Sequence, residues 1–425
     1  MEFITRVDAV LHQHCGNGIE HMEIKFGLQK KYAEHIDRWV NFAIAAKTKK
    51  LTIDLSGGSK FSLFRKLICG IYGPVEDLYN IPSELFDCDI GSYLQCLELT
   101  SVALQLASDF KGFLNLKNLT LADVSVTDED VECMLSRCNL LERFDISYCT
   151  TVTSIRLSRP LNQFKHLLVG KCPFLQVIEL NCSPMTLEYT GNMVPIRFSS
   201  TSRLTCVRIK LLSHLAALYY IITGFPATLP SLETLTLHCS AQRERAILPE
   251  KPFIFTYLRN LRLELVLHGR KKRKTDVLGY AYLLEVVPFM ENLELHMWMN
   301  CRHQPYHKED GELRARLPHQ HTHLKFVRIS GFFGHKDQVE LALHILHSSI
   351  VLEKMEITPK IEIAQCDTFY ERTAYVDGHR VATEFVCKAD HRNVVNVKRP
   401  SFFSPPPPPP PPPPELIMTV EEMEC

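Results

Sequence analysis

The chain has 425 residues, and its 48 Lys and Arg are balanced by 48 Asp and Glu, so it carries no net formal charge. That balance excludes a strongly basic nucleic-acid binder and an acidic tail protein, because neither would have a field of one sign to work with. A hydrophobic share of 45% against 23% charged residues excludes disorder over most of the length and provides for a core.

No apolar run approaches the roughly 20 residues of a membrane helix. Glu2, Arg6 and Asp8 interrupt the start, where a signal peptide needs an apolar stretch. The expected setting is therefore intracellular, in cytoplasm or nucleus, with no membrane partner. The 15 cysteines include no C-x-x-C pair, so neither a disulfide framework nor a zinc knuckle is indicated. Most are expected to be buried free thiols.

The first helix expected runs from Ala33 to Ala46, with Ile36, Trp39, Val40, Ala43 and Ile44 on one side. It leads into a strand at Leu51, where a phrase begins to recur: a Leu, two residues, an apolar residue, one residue, another apolar residue. Good copies are LTIDL at Leu51, LQCLELTS at Leu94, LKNLTLAD at Leu116, LERFDISYC at Leu141, LTCVRIKL at Leu204, LETLTLHC at Leu232, LRNLRLEL at Leu258 and LEKMEI at Leu352. Weaker ones start at Ile19, Phe164, Leu175, Met290 and Leu324. Intervals of 22 and 25 residues early, then 28, 26, 32, 34 and 28, fit a leucine-rich repeat that lengthens toward its end, since such units run about 20 to 29 residues.

Leu97-Glu98-Leu99-Thr100 shows the logic of the phrase: a short strand sends its leucines inward and Glu98 and Thr100 outward. One such strand cannot bury its leucines alone, whereas parallel stacking closes a continuous core and aligns the outward residues as one face. Between strands a helix returns the chain. In the segment from Ser125 to Cys149, Thr127 caps with Asp130 three residues on, and Val131, Met134, Leu135 and Cys138 share a face. From Lys336 to His347, Val339, Ala342, Leu343 and Leu346 form one stripe. The expected fold is α/β, a single right-handed leucine-rich-repeat solenoid, or horseshoe, with irregular repeats.

The outward strand residues are Glu98 and Thr100, Asp145 and Ser147, Glu179 and Asn181, Arg208 and Lys210, Thr236 and His238, Arg262 and Glu264, Glu294 and His296, and Arg328 and Ser330. Their mixed signs suit a protein partner matched by charge rather than a ligand of one sign, although any half-exposed sheet face shows such a pattern. Solenoids usually bind on that face. Trp298 follows one of these strands, as an anchor or as core.

No paired acid, base or nucleophile stands out, and no Walker loop, nucleophile elbow or H-E-x-x-H is present, so no enzyme activity and no cofactor or metal is expected. Gly57-Gly58-Ser59-Lys60 reads as a plain turn. His319, His321 and His323 alternate without acidic or cysteine partners and read as a solvated loop. Arg270, Lys271, Lys272, Arg273 and Lys274 form a compact basic run that reads equally as a nuclear-import signal or a solvated insertion. One such patch supplies few phosphate contacts, so no nucleic-acid partner is expected. Ten prolines, Pro405 to Pro414, form an extended rod of about 31 Å. A passive spacer is favoured over a ligand for a proline-rod reader.

HIDRWVNFAIAAKTKKLTIDL, FKHLLVGKCPFLQVIELNCSPMTLEYTGNMVPIRF with a tyrosine-glycine turn at Tyr189 to Gly191, HTHLKFVRISGFFGHKDQVELALHILHSSIVLEKMEI and GHRVATEFVCKADHRNVVNV together resemble the plant F-box/leucine-rich-repeat/FBD family over nearly everything before Pro400. That resemblance implies a lead-in over 1–18, a repeat solenoid over 19–317, FBD-like terminal repeats as a cap over 318–397 and a disordered proline-rich tail over 398–425. The family's N-terminal F-box, which docks a Skp-type adaptor and through it a cullin, is missing from this sequence, whose start resembles what the family shows immediately downstream of it; adaptor and cullin are expected partners only if an F-box is present upstream. What the resemblance implies is a substrate-recognition part of an SCF-type ubiquitin ligase, holding an unknown protein substrate. The alternative is a free-standing scaffold or competitor.

Overall fold

The computed structural model describes residues 2–13, 19–28, 30–57, 78–82, 93–107, 110–111, 113–182, 184–199, 201–211, 221, 224–226, 228–241, 254–269, 276–314, 320–363 and 372–399. The basic run at 270–274 and the proline rod lie outside them, as do Gly58–Lys60 and His319.

Among the described residues, fourteen strands pair in parallel and in chain order to form one sheet. They are His21–Lys25, Lys50–Asp54, Cys96–Thr100, Asn118–Ala122, Arg143–Ser147, His166–Gly170, Thr186–Gly191, Cys206–Leu211, Thr234–Ala241, Asn260–Gly269, Asn292–Cys301, Phe326–Ser330, Lys354–Thr358 and Val395–Val397. Each sends its alternate apolar residues to one side, where Leu97, Leu99, Leu119 and Leu121 are fully buried, at about 1.5–3 kcal/mol per side chain. Helices close that side. Ala33–Ala45 buries Ile36, Trp39, Val40 and Ala43. Asp128–Arg137 buries Val131, Met134 and Leu135 and starts at a capping box between Thr127 and Asp130. Lys336–Ser348 buries Val339, Ala342 and Leu346. The architecture is an α/β solenoid with one continuous core.

Two helices at the ends of the described chain were not expected from the sequence. A helix at Glu2–Gln13 is tied to Ala33–Ala45 through Asp8, which accepts from Trp39 Nε1 at 2.7 Å and Arg38 Nη2 at 2.9 Å. A helix at Arg372–Val381 continues as a π-helix over Ala382–Cys387, packing Tyr375 on Phe333 and Phe385 on Tyr306.

The phrase at Leu175 is not a repeat strand. Val177–Leu180 lies in a separate three-stranded sheet between Ser154–Leu157 and Ile196–Phe198. Only residues 171–176 separate it from the preceding main-sheet strand, too short a connection to return a parallel neighbour to the same sheet. The place belongs to Thr186–Gly191, so Tyr189 to Gly191 is strand rather than turn, with Tyr189 buried and its hydroxyl donating to Asn192 O.

The early strands end alike. Ser101, Asp123, Tyr148 and Lys171 each follow a strand with φ between 52° and 59°, a left-handed conformation that costs a non-glycine residue about 1–2 kcal/mol. Each also donates its N–H to the neighbouring rung, for example Asp123 N to Ser147 O at 2.8 Å and Tyr148 N to Gly170 O at 2.8 Å. The turn thus extends the ladder by one bond per repeat, which offsets part of that cost. Gly331 takes this place after Phe326–Ser330, at φ +66°, and a Cβ there would lie 1.8 Å from Met297 O. Gly331→Ala is expected to destabilise the fold by more than about 2 kcal/mol, read as a lower urea midpoint at unchanged m-value.

Candidate protein-binding face

The side of the main sheet opposite the core carries the polar residues, and its register aligns them. One row crosses all fourteen strands, running from Glu23 through Thr52, Glu98, Thr120, Asp145, Leu168, Glu188, Arg208, Thr236, Arg262, Glu294, Arg328 and Glu356 to Asn396. A second row, one pleat further along, includes Thr100, Ser147, Lys210, His238, Glu264, His296, Ser330 and Thr358. Most of the expected face residues therefore lie together on one surface.

Four do not serve as expected. Glu179 and Asn181 belong to the second sheet, where they line a depression of about 380 Å³ with Arg156 and Arg197. Glu188 and Thr190 of Thr186–Gly191 stand on the main face instead. Their alternation was present in TLEYTG, but Pro184 stands where the phrase has its leading Leu. His296 and Ser330 point to the polar side yet are 1% and 0% exposed, because the chain beyond Thr358 folds back over them. There Glu362 accepts from Arg328 Nη2 at 2.8 Å and lies 3.7 Å from His296 Nδ1. Trp298 also sits on this side, nine-tenths buried in a small apolar group with Val266 and Ile363 that is separate from the main core.

His321 is not in a solvated loop. It is 1% exposed; its Nε2 meets Val287 O at 2.9 Å and its Nδ1 accepts from Leu324 N at 3.1 Å. One imidazole thereby satisfies backbone groups on two segments. His323 is half-buried against Phe289. Among the described residues no group of three or more His, Cys, Asp or Glu could hold a metal ion. Nine described cysteines are free thiols, of which Cys138, Cys149, Cys172, Cys182 and Cys239 are buried. Gly57 sits in a turn at φ +62° against Gly27.

A profile of the leucine-rich-repeat domain of the At1g61320/AtMIF1 group matches residues 10–397. The chain belongs to this family. It is also 28% identical over 191 residues to the F-box/FBD/LRR-repeat protein At1g13570 of Arabidopsis thaliana, a match covering 43% of this chain and 38% of that relative. The family is thus of the plant F-box/leucine-rich-repeat type. The matched stretch spans less than two fifths of the relative's length.

In this leucine-rich-repeat chain the charges of the polar face are largely paired with one another. Lys50 lies 2.8 Å from Glu98, Arg143 2.9 Å from Asp145, and Arg208 3.2 Å from Glu188. Toward the C-terminal side a depression of about 380 Å³ is lined by Asn260, Arg262, Asn292, Glu294, Arg328 and Lys354 among others. Arg262 bridges there between Glu294 at 2.7 Å and Glu264 at 2.9 Å. Burial pushes the Asp145 carboxyl up despite Arg143. Burial would also raise Glu98, but the hydrogen bonds from Lys50 and Thr52 outweigh it and hold this carboxyl down.

Glu264 is the most perturbed of the face carboxylates. The hydrogen bond with His238 at 3.2 Å and the adjacent Arg262 overcome its burial and hold it at about 2, against an ordinary 4.5. Because the folded-state value is depressed, the stability this group contributes is fully present above 4.5 and is lost as pH falls toward about 2. Glu264→Gln is expected to cost roughly 1–3 kcal/mol at neutral pH and to flatten the acid limb of the stability curve between those two values. Urea midpoints at stepped pH check both.

Proposed function

We propose that this chain holds a protein target on the polar face of its repeat sheet, as the target-recognition part of an SCF-type ubiquitin-ligase receptor, and that it catalyses no reaction itself. The observation that carries the reading is the row from Glu23 to Asn396, which runs unbroken across fourteen strands and presents both signs of charge on a rigid ladder. Such a surface selects a partner by charge register over many contacts. In this reading the sheet curves as a right-handed horseshoe over residues 19–317. Residues 318–397 serve as an FBD-like cap and 398–425 as a proline-rich tail. Skp-type adaptor and cullin enter only where an F-box lies upstream in the complete protein. The basic run Arg270–Lys274 would then direct the chain to the nucleus. No described helix is long and apolar enough to cross a membrane.

Membership in the At1g61320/AtMIF1 family and the similarity to a protein named for its F-box and FBD segments support the ligase assignment. A plain scaffold would hold a target but bring no adaptor with it. The test uses the complete protein from plant cells: affinity purification to recover a direct target, then binding of that purified target. Arg208, 60% exposed and on the main face, supplies the probe. Arg208→Glu is expected to weaken target binding at least about tenfold, while Arg156→Glu on the second sheet leaves it within about twofold. A target indifferent to Arg208→Glu and to the matching Glu98→Lys overturns the assignment of the face. Retained target binding without a Skp-type adaptor in the complex favours the scaffold.

A further inference from the structure

The strands Asn260–Gly269 and Asn292–Cys301 are ten residues long, twice the length of most other strands of the main sheet. They therefore carry a third position on the polar side, where Val266 pairs with Trp298. This apolar ledge lies beyond the two polar rows and outside the main core, and something covers it. After Thr358 the chain turns, Lys360 O accepts from Gly331 N at 2.9 Å, and the next three residues run back across the face of the two preceding strands. Ile363 is buried on Val266 and Trp298, with Ile361 packed beside them. Between the two isoleucines, Glu362 reaches down to Arg328 at 2.8 Å and toward His296 at 3.7 Å.

The contact matches in chemistry but is incomplete in geometry. A guanidinium can receive a carboxylate through two parallel bonds, yet Glu362 engages Arg328 through Nη2, and Arg328 Nε is buried with no hydrogen-bond partner. An orphaned charged donor of this kind is costly. A ligand that brings its carboxylate in side-on would satisfy it. The tethered segment is thus a lower-grade occupant, held by being part of the same chain.

We propose that the Val266–Trp298 ledge and Arg328 form a docking site for an extended segment of a partner protein in which an acidic residue stands between two branched aliphatic ones, and that residues 361–363 occupy this site until such a segment displaces them. The proposal rests on the reading of the polar face as the partner's seat and deepens it. It assigns this part of the face to one short, strand-like motif, and it makes the site's availability depend on the chain's own strap.

The probe is a fluorescein-labelled peptide of residues 359–364, Pro-Lys-Ile-Glu-Ile-Ala, titrated by anisotropy into two full-length proteins. One is wild type, and the other carries Ile361→Ser, Glu362→Ser and Ile363→Ser. Saturable binding to the opened protein, at least about tenfold tighter than to wild type because the tethered competitor is gone, is expected. Glu362→Lys in the peptide, or Arg328→Ala added to the opened protein, should each abolish it. No saturable binding to an opened protein that still melts cooperatively, equal binding to both proteins, or indifference to the charge reversal overturns the proposal.

Should the triple variant fail to fold, hydrogen exchange on wild type decides. The amides of 361–363 should exchange by local opening at least about a hundredfold faster than those of Phe326–Ser330, and protection equal to that strand overturns displacement. None of these readouts involves the target protein. Failure here leaves the wider assignment of the face standing, whereas a target indifferent to Arg208→Glu sinks that assignment and leaves the peptide site.

Discussion

Most strands of the main sheet bury two or more apolar side chains that they could not bury alone, and each satisfies its backbone only through its neighbours. Everything else follows from that mutual dependence. The parallel register it enforces is what turns residues 20 to 30 positions apart in sequence into adjacent points of one row, from Glu98 to Thr120 to Asp145. The left-handed residues at the ends of the early strands are tolerated because each adds a rung to the ladder. The face needs no separate scaffold, since the burial that builds the core on one side aligns the polar groups on the other.

The internal pairing of the face has a physical cost for any ligand. Arg262, Glu264, Glu294 and His238 already hold one another, so a partner that touches them must offer equivalent contacts or leave a desolvated charge behind. Such a surface gains little from nonspecific attraction and discriminates strongly against mismatched charge. Exposed single-sided pairs such as Arg208 with Glu188, 60% and 45% exposed, lose less on exchange. For that reason they are the places where a partner gains most readily.

Period-two alternation, in most copies behind a leading leucine, made twelve of the main-sheet strands legible in the sequence, and the capping box at Thr127 and the stripe on Lys336–Ser348 were equally plain. The same signal misled at Leu175, because alternation reports that one face is buried without saying in which sheet. Connection length carried the missing information, and it placed TLEYTG on the main sheet. Burial of His296 and Ser330 could not be read at all, and Trp298 read equally as anchor or as core. Their local pattern is that of an exposed face, and the cover comes from 361–363, a segment with no repeat signature of its own. His321 was illegible for a similar reason, since its partners, Val287 O and Leu324 N, are backbone atoms that a sequence does not display.

At its C-terminal side the sheet finishes on Val395–Val397, only three residues long and held to the body by Asp390, which accepts from Val395 N, and by Arg392, which donates to Leu346 O and Ser349 O. A parallel sheet of fourteen strands would otherwise end in a row of unpaired amides able to template another chain. The short last strand leaves little of such a row. That edge of the sheet is thus kept short and pinned by a clamp remote from the polar face, so changes of charge on the face leave the clamp untouched.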